Sequence, residues 1–436
     1  MGETKNDARE GATARAGVPL FPSRARFLRG KWCSLSATLG RDADMSSLDL
    51  SAIAPAMQRY IDDEILVGIS AVVLQDNQPV YEAHFGHMNI AAGKPMAADT
   101  IYRIYSNTKI VTSVAAMCLH EDGLFDLDDP LDRWFPKFAN LRVLASPSSD
   151  PSDTVPLERV ATVRELMCHN AGFSYGFLQE SPVDALYTRH GVIDPRSTLA
   201  AMEDKLAEIP LANQPGVRWQ YSVSTDLLAR LVEIWSGQSF PDFLAQRIFE
   251  PLGMADTGFI VPPGKVGRFA ENYAPDNPLD PMAPGLTPAP DALVGTYLEP
   301  KPMTSGGGGL VGTIGDYTRF MQMLGGGGAL GETRVLRAET VDLMHTNQLP
   351  EGVAVSLPNW IMPNTQFGLG LAIKTAPADG ETDQAIGEYH WGGMAGTHSF
   401  IAPRAGLTGL LFTQRMPGFW HPFYHEFKRL LYQAAA

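Results

Sequence analysis

Apolar residues recur at helical spacing through residues 50–64, where Ile53, Met57, Tyr60 and Ile61 share one side, and this spacing predicts a helix. Two strand-like runs follow at 67–75 and 79–86, joined by the turn residues Asp76, Asn77 and Gln78. After an apolar lead-in at 101–105, Ile110, Val111, Val114, Ala115, Cys118 and Leu119 repeat with a helical period. They predict a helix with one buried face that stops at Gly123. From Asp126 to about Pro300 the chain is rich in Pro, Asp and Ala, with helical patterns linked by long loops. Two of these are clear: residues 225–235, ended by Gly237, and residues 240–249, stopped by Pro251. Strand character returns at 367–374, 388–392, 399–402 and 406–414, and a terminal helix is expected from about Pro422 to Ala434.

Helix, strands, helical middle, strands, helix is the order expected of an α/β (α+β) protein whose antiparallel sheet is built from both ends of the chain. Residues 45–125 and 301–436 are expected to form that sheet domain, and residues 126–300 a mainly helical lobe inserted into it. The cleft between two such lobes is the natural place for a site. Residues 1–44, rich in Arg, Gly, Ala and Pro, read as a disordered extension of unassigned purpose, with Met45 an alternative start.

Composition narrows the partners. The 436 residues are 44% hydrophobic and 19% charged, with net charge −14, as in an ordinary soluble globular chain. The basic N-terminal stretch leaves the rest still more acidic, which speaks against nucleic acid or an anionic membrane as partner. Cys33, Cys118 and Cys168 are too widely spaced for a disulfide framework or a metal pattern, which fits a reducing compartment. The uncharged run at 352–373 is broken by Pro358, Pro363 and several Gly, so no membrane helix is expected. Residues 1–44 lack an apolar signal core, so a cytoplasmic location is expected.

Candidate chemistry begins at Ser106-Asn107-Thr108-Lys109, where a hydroxyl and an amine lie one helical turn apart at the start of a helix. An alcohol becomes a strong nucleophile when a base takes its proton, and a buried neutral Lys can be that base. A helix N-terminus also favours developing negative charge. Locally, the same residues are equally consistent with a capping Ser and a solvated Lys. The segment from Pro215 to Ser224 is a Pro-Gly turn and a short extended run that delivers Tyr221-Ser222 to the next helix. Tyr221 could bond Ser106 across the cleft and relay a proton, or could be a buried Tyr that satisfies its own hydroxyl. His390-Trp391-Gly392-Gly393-Met394 lies on a late strand whose small residues could let a substrate lie along the edge. There the Met394 N–H could join that of Ser106 around an oxyanion; a strand end with a buried Trp is the alternative.

Ser106-x-x-Lys109, Tyr221-Ser222 and Trp391-Gly392-Gly393, in that order, resemble the serine β-lactamase and penicillin-binding-protein superfamily. Within it the likeness is to family VIII carboxylesterases, similar to class C β-lactamases, which carry Trp-x-Gly where lactamases carry Lys-Thr-Gly. It extends over residues 50–418 and includes Leu166 to Gly172, Glu250 to Met254 and Ser305 to Leu310. The resemblance implies a β-lactamase-like antiparallel sheet flanked by helices, and a serine carboxylesterase working through a Ser106 acyl-enzyme. It implies Ser106 as nucleophile, Lys109 as base, Tyr221 as proton shuttle and later activator of water, and the Ser106 and Met394 N–H groups as the oxyanion hole. Trp391, Gly392 and Gly393 would contact the substrate. The lactamase Tyr-Ser-Asn reads Tyr221-Ser222-Val223 here, and Trp391 stands in place of a carboxylate-attracting Lys. Both departures favour neutral short-chain or aromatic esters over β-lactams.

Other patterns compete. Gly172-Phe173-Ser174-Tyr175-Gly176 matches the nucleophile motif of α/β-hydrolases, but a helical segment precedes it where a strand is required. His84-x-x-His87 and His421-x-x-x-His425 lack a metalloprotease context. The glycine runs 306–309 and 325–328 lack the Lys-Ser or Lys-Thr of a phosphate loop and serve turns and close backbone approach. No cofactor and no metal are expected, and the partner is a small-molecule ester. Acyl transfer on the same residues, weak lactam hydrolysis and a non-catalytic binding domain are the rival functions.

Overall fold

The computed structural model describes residues 48–290, 295–357, 360–419 and 421–436. The expectations for residues 1–44, Met45 and Cys33 lie outside these.

Strands from the two ends of the chain make one sheet. They are β1 (Gly68–Gln75), β2 (Gln78–Asn89), β3 (Lys94–Pro95), β4 (Thr365–Phe367), β5 (Ala372–Lys374), β6 (Tyr389–Gly393), β7 (Thr397–Ala402) and β8 (Leu407–Thr413). Their order is β4-β5-β6-β7-β8-β1-β2-β3, and every neighbouring pair is antiparallel. The expected strand at 367–374 is two strands, because a turn at Gly368–Leu371, closed by the Gly368 N–H on the Leu371 carbonyl (2.9 Å), reverses the chain.

Both faces of the central strands are covered. Ile69, Ala71 and Val73 of β1 face a layer that includes Ile53, Met57, Phe423, Phe427 and Leu431. These come from α1 (Ile53–Asp62) and the last helix, α6 (Pro422–Ala434). Val72 and Leu74 face the larger core on the other side. A strand buried on both faces reads as a continuous apolar run, which is why 67–75 shows no alternation.

The second face carries α2 (Thr108–Glu121), α3 (Val163–Met167), α4 (Ser224–Ser236) and α5 (Ile314–Gly325). Every residue of α2 from Thr108 to Leu119 is buried. The expectation of one buried face is therefore corrected. Helix α2 packs against α4 and lies inside the larger core, so its Thr and Ser positions are buried as well as its apolar ones. The expected helix at 240–249 begins as an α-helix over Phe240–Leu244 and opens into a π-turn over Ala245–Phe249. Among the described residues no helix is long and apolar enough to cross a membrane, and Cys118 and Cys168 are free and buried.

Candidate active site

Ser106 sits in the single 3-10 turn Tyr105–Asn107 that leads into α2. The preceding Tyr105 has φ +42°, a left-handed conformation that costs a non-glycine residue about 1–3 kcal/mol unless its surroundings enforce it. They do. Tyr105 Oη accepts from Asn272 Nδ2 (3.0 Å), Asn107 Nδ2 donates to the Thr397 carbonyl (2.9 Å), and Tyr317 Oη donates to the Asn107 carbonyl (2.9 Å). The Ser106 turn is clamped to β7, to α5 and to the segment around Asn272.

Tyr221 reaches the turn from the segment before α4, and its hydroxyl donates to Ser106 Oγ at 2.7 Å. Lys109, 1% exposed, donates from Nζ to Tyr175 Oη (3.0 Å) and to the Gly307 carbonyl (2.7 Å). The same nitrogen lies 4.6 Å from the Tyr221 ring centroid. Tyr175 Oη donates to Asp226 Oδ2 (3.3 Å), and Asp226 Oδ1 accepts from the Ser305 hydroxyl and the Gly307 N–H (3.0 Å). Gly307 is required at this closeness, since a Cβ there would stand 2.6 Å from both Tyr175 Oη and Asp226 Oδ2. Ser106, Tyr221, Lys109, Tyr175 and Asp226 thus form one hydrogen-bonded and electrostatic cluster.

Burial shapes its titration. Desolvation, followed by the electrostatic effect of Lys109, holds His169 well below the ordinary imidazole value. Its ring packs on Tyr221 with centroids 5.0 Å apart. Burial raises Tyr175 well above the usual phenol value, and the negative charge of Asp226 adds to this. Tyr175 is therefore a fixed donor to that carboxylate.

Trp391 is 1% exposed. Its ring packs against Tyr221 (5.4 Å), Phe367 (5.5 Å) and Phe419 (5.4 Å), so it braces the Tyr221 ring from behind. Gly393 brings β6 against the Ser106 turn, because a Cβ there would lie 2.4 Å from the Ile104 carbonyl and 2.3 Å from Thr397 Oγ1. Gly392 faces His398, whose Nδ1 would be 2.5 Å from a Cβ. Ser106 and Met394 both line a cavity of about 620 Å³, whereas Trp391, Gly392 and Gly393 are not among its lining residues. Its walls are largely apolar and include Phe177, Ile193, Phe259, Met303 and Met416.

Ser174 is fully buried, donating to Asp184 Oδ1 (2.5 Å) and accepting from Gln220 Nε2 (2.9 Å), so it is a core hydroxyl that does not line the cavity beside Ser106. Its neighbour Tyr175 is the member of that motif that joins the Ser106 cluster, through Lys109, and the sequence did not single it out. Asp226, five residues after Tyr221, was missed as well. A buried-looking Asp in the first turn of a helix that opens next to a candidate Tyr was the available signal. Among the described residues no group of three or more His, Cys, Asp or Glu could hold a metal.

A family model described as Beta-lactamase matches residues 53–433. Esterase EstB of Burkholderia gladioli is 30% identical over 85% of this chain and 93% of its own length. Monacolin J acid methylbutanoyltransferase of Aspergillus terreus is 28% identical over 74% of this chain and 79% of its own. Among solved structures, EstCE1, a hydrolase with promiscuous acyltransferase activity, superposes with a TM-score of 0.73 at 24% identity, covering 88% of this chain and 98% of that one. Unliganded simvastatin synthase (LovD) from Aspergillus terreus, as its selenomethionyl derivative, gives 0.72 at 25% identity, with 88% and 97% covered.

Proposed function

The chain belongs to the beta-lactamase family, and from that premise we propose that it is a serine carboxylesterase acting through a Ser106 acyl-enzyme. The observation that carries the proposal is the 2.7 Å hydrogen bond from Tyr221 to Ser106 at the wall of an apolar cavity. In this reading the ester carbonyl lies over Ser106, and Tyr221 Oη takes the Ser106 proton as Oγ attacks while its own hydroxyl proton passes to the neutral Lys109 amine. Lys109, whose nitrogen lies close to the Tyr221 ring, is thus the final base and Tyr221 the relay. The N–H groups of Ser106 and Met394 receive the carbonyl oxygen. Tyr221 then returns the proton to the leaving alcohol and, in the second half-reaction, activates water.

Tyr175 and Asp226 hold Lys109 in place, and Trp391 holds Tyr221. The apolar walls suit short-chain or aromatic acyl and alcohol groups. The relation to an esterase over almost its whole length supports hydrolysis. Acyl transfer to an alcohol on the same residues is the second reading, favoured by the relation to an acyltransferase. A panel of p-nitrophenyl esters and a chromogenic cephalosporin, with and without an added alcohol acceptor, tests the proposal. Ester turnover well above cephalosporin turnover is expected. Equal rates on both would refute the ester preference, and product appearing mainly as the transferred ester would favour the second reading.

A further inference from the structure

Among the described residues that line the cavity, Lys301 is the single basic side chain, and no Asp or Glu is among them. This is unexpected in a chain of net charge −14. Lys301 is half-buried, with its Nζ 5.1 Å from the Tyr297 ring centroid, and among the described residues it has no carboxylate partner. On that same ring Arg103 stands at 5.8 Å, its Nη1 on the Ala270 carbonyl and its Nε on the Gly295 carbonyl. Tyr297 is itself fixed by donating to the Gly308 carbonyl (3.2 Å). Two cations therefore flank one wall of a cavity that also holds the nucleophile, and one of them faces the open volume.

Resting on the esterase reading, the geometry points to esters that carry a carboxylate remote from the scissile carbonyl, bound by Lys301. A lysine ammonium is a strong point-charge partner for such an anion, and the apolar walls between it and Ser106 accommodate the intervening carbon chain. The lactamase-type cation absent at Trp391 is thus supplied from a different wall. The preferred substrate is then a hemiester of a dicarboxylic acid, or an ester whose alcohol bears the acid, in place of a β-lactam.

Matched pairs test this: p-nitrophenyl butyrate against mono-p-nitrophenyl glutarate and adipate, and phenyl butyrate against 4-carboxyphenyl butyrate. The readout is the ratio of kcat/KM for the anionic member to that for the neutral member. Lys301→Met is expected to lower that ratio about tenfold for at least one pair, Lys301→Glu to lower it further, and Lys301→Arg to keep most of it. The wild-type ratio should also fall as salt is raised, and the Lys301→Met ratio should not. Binding of glutaric acid monoanilide against butyranilide, by calorimetry on Ser106→Ala, gives the same contrast without turnover. Its success beside failed ester hydrolysis would sink the esterase reading alone. Ratios that are unchanged in Lys301→Met and Lys301→Glu for every pair, or binding to Ser106→Ala that ignores the carboxylate, would overturn the assignment of Lys301.

Discussion

Removing one oxygen atom from Tyr221 separates its chemistry from its packing. In Tyr221→Phe the ring keeps its neighbours, with Trp391 at 5.4 Å, Tyr175 at 5.3 Å and His169 at 5.0 Å between centroids, and so keeps its place in the core. What is lost is the 2.7 Å hydrogen bond to Ser106. A part-buried hydrogen bond contributes about 0.5–1.5 kcal/mol to stability, so the unfolding free energy should change by no more than that. A general acid–base group in the transition state contributes about 10²–10⁴ in rate, which is about 2.7–5.5 kcal/mol in the barrier at about 1.36 kcal/mol per tenfold. The kinetic loss should therefore exceed the stability loss by at least about 1 kcal/mol. The assay is kcat/KM on p-nitrophenyl butyrate beside a urea melt of the same preparation. Activity within about fivefold of wild type, with the fold intact, would refute Tyr221 as the group that moves the Ser106 proton.

Three further substitutions and conditions probe the frame. Trp391→Lys buries an unpaired ammonium where Trp391 is 1% exposed; it is expected to destabilise the protein by about 3–5 kcal/mol without raising cephalosporin turnover, and a stable, lactam-active variant would contradict this. Gly393→Ala places a methyl 2.4 Å from the Ile104 carbonyl, so β6 and the nucleophile turn must part; kcat should fall roughly tenfold to a hundredfold, and an unchanged kcat would count against β6 as the brace of that turn. Burial holds His169 and His398 well below the ordinary imidazole value and pushes His421 down to about 4. Below about pH 6.5 the unfolded chain binds protons that the folded chain refuses, so stability is lost as pH falls: about 1.4 kcal/mol at pH 5.5 from His421, with His169 and His398 acting in the same direction. A urea midpoint unmoved between pH 7.5 and 5.5 would show that these rings are not held neutral.

The last helix was legible in the sequence because Pro422 sits in its first turn, where no N–H is needed, and Phe423, Phe427 and Leu431 repeat along one face. The central strands of the sheet were legible by their apolar runs, and their antiparallel order by the way the two chain ends share that character, whereas the two-residue edge strand Lys94–Pro95 carries no such run. What stayed hidden has physical causes. Helix α2 is buried all round, so its Thr and Ser residues carried no face signal. The split at 367–374 depends on a backbone turn that apolar periodicity does not record. Tyr175 was masked by the Ser174 motif around it, although Ser174 is locked to Asp184 in the core. Trp391 was expected at the substrate and lies behind Tyr221, because its position on β6 is set by Phe367 and Phe419 packing on it. The cavity walls come from loops around Ile193 and Tyr297, where no periodic pattern exists to be read.

The account's central claim is that Ser106 carries the acyl group. Mass spectrometry of the protein quenched during turnover of p-nitrophenyl butyrate tests it most directly. A butyryl adduct on the peptide containing Ser106, present in Ser174→Ala and absent with all turnover in Ser106→Ala, is the predicted result. An adduct on any other residue, or turnover that survives Ser106→Ala, would contradict it.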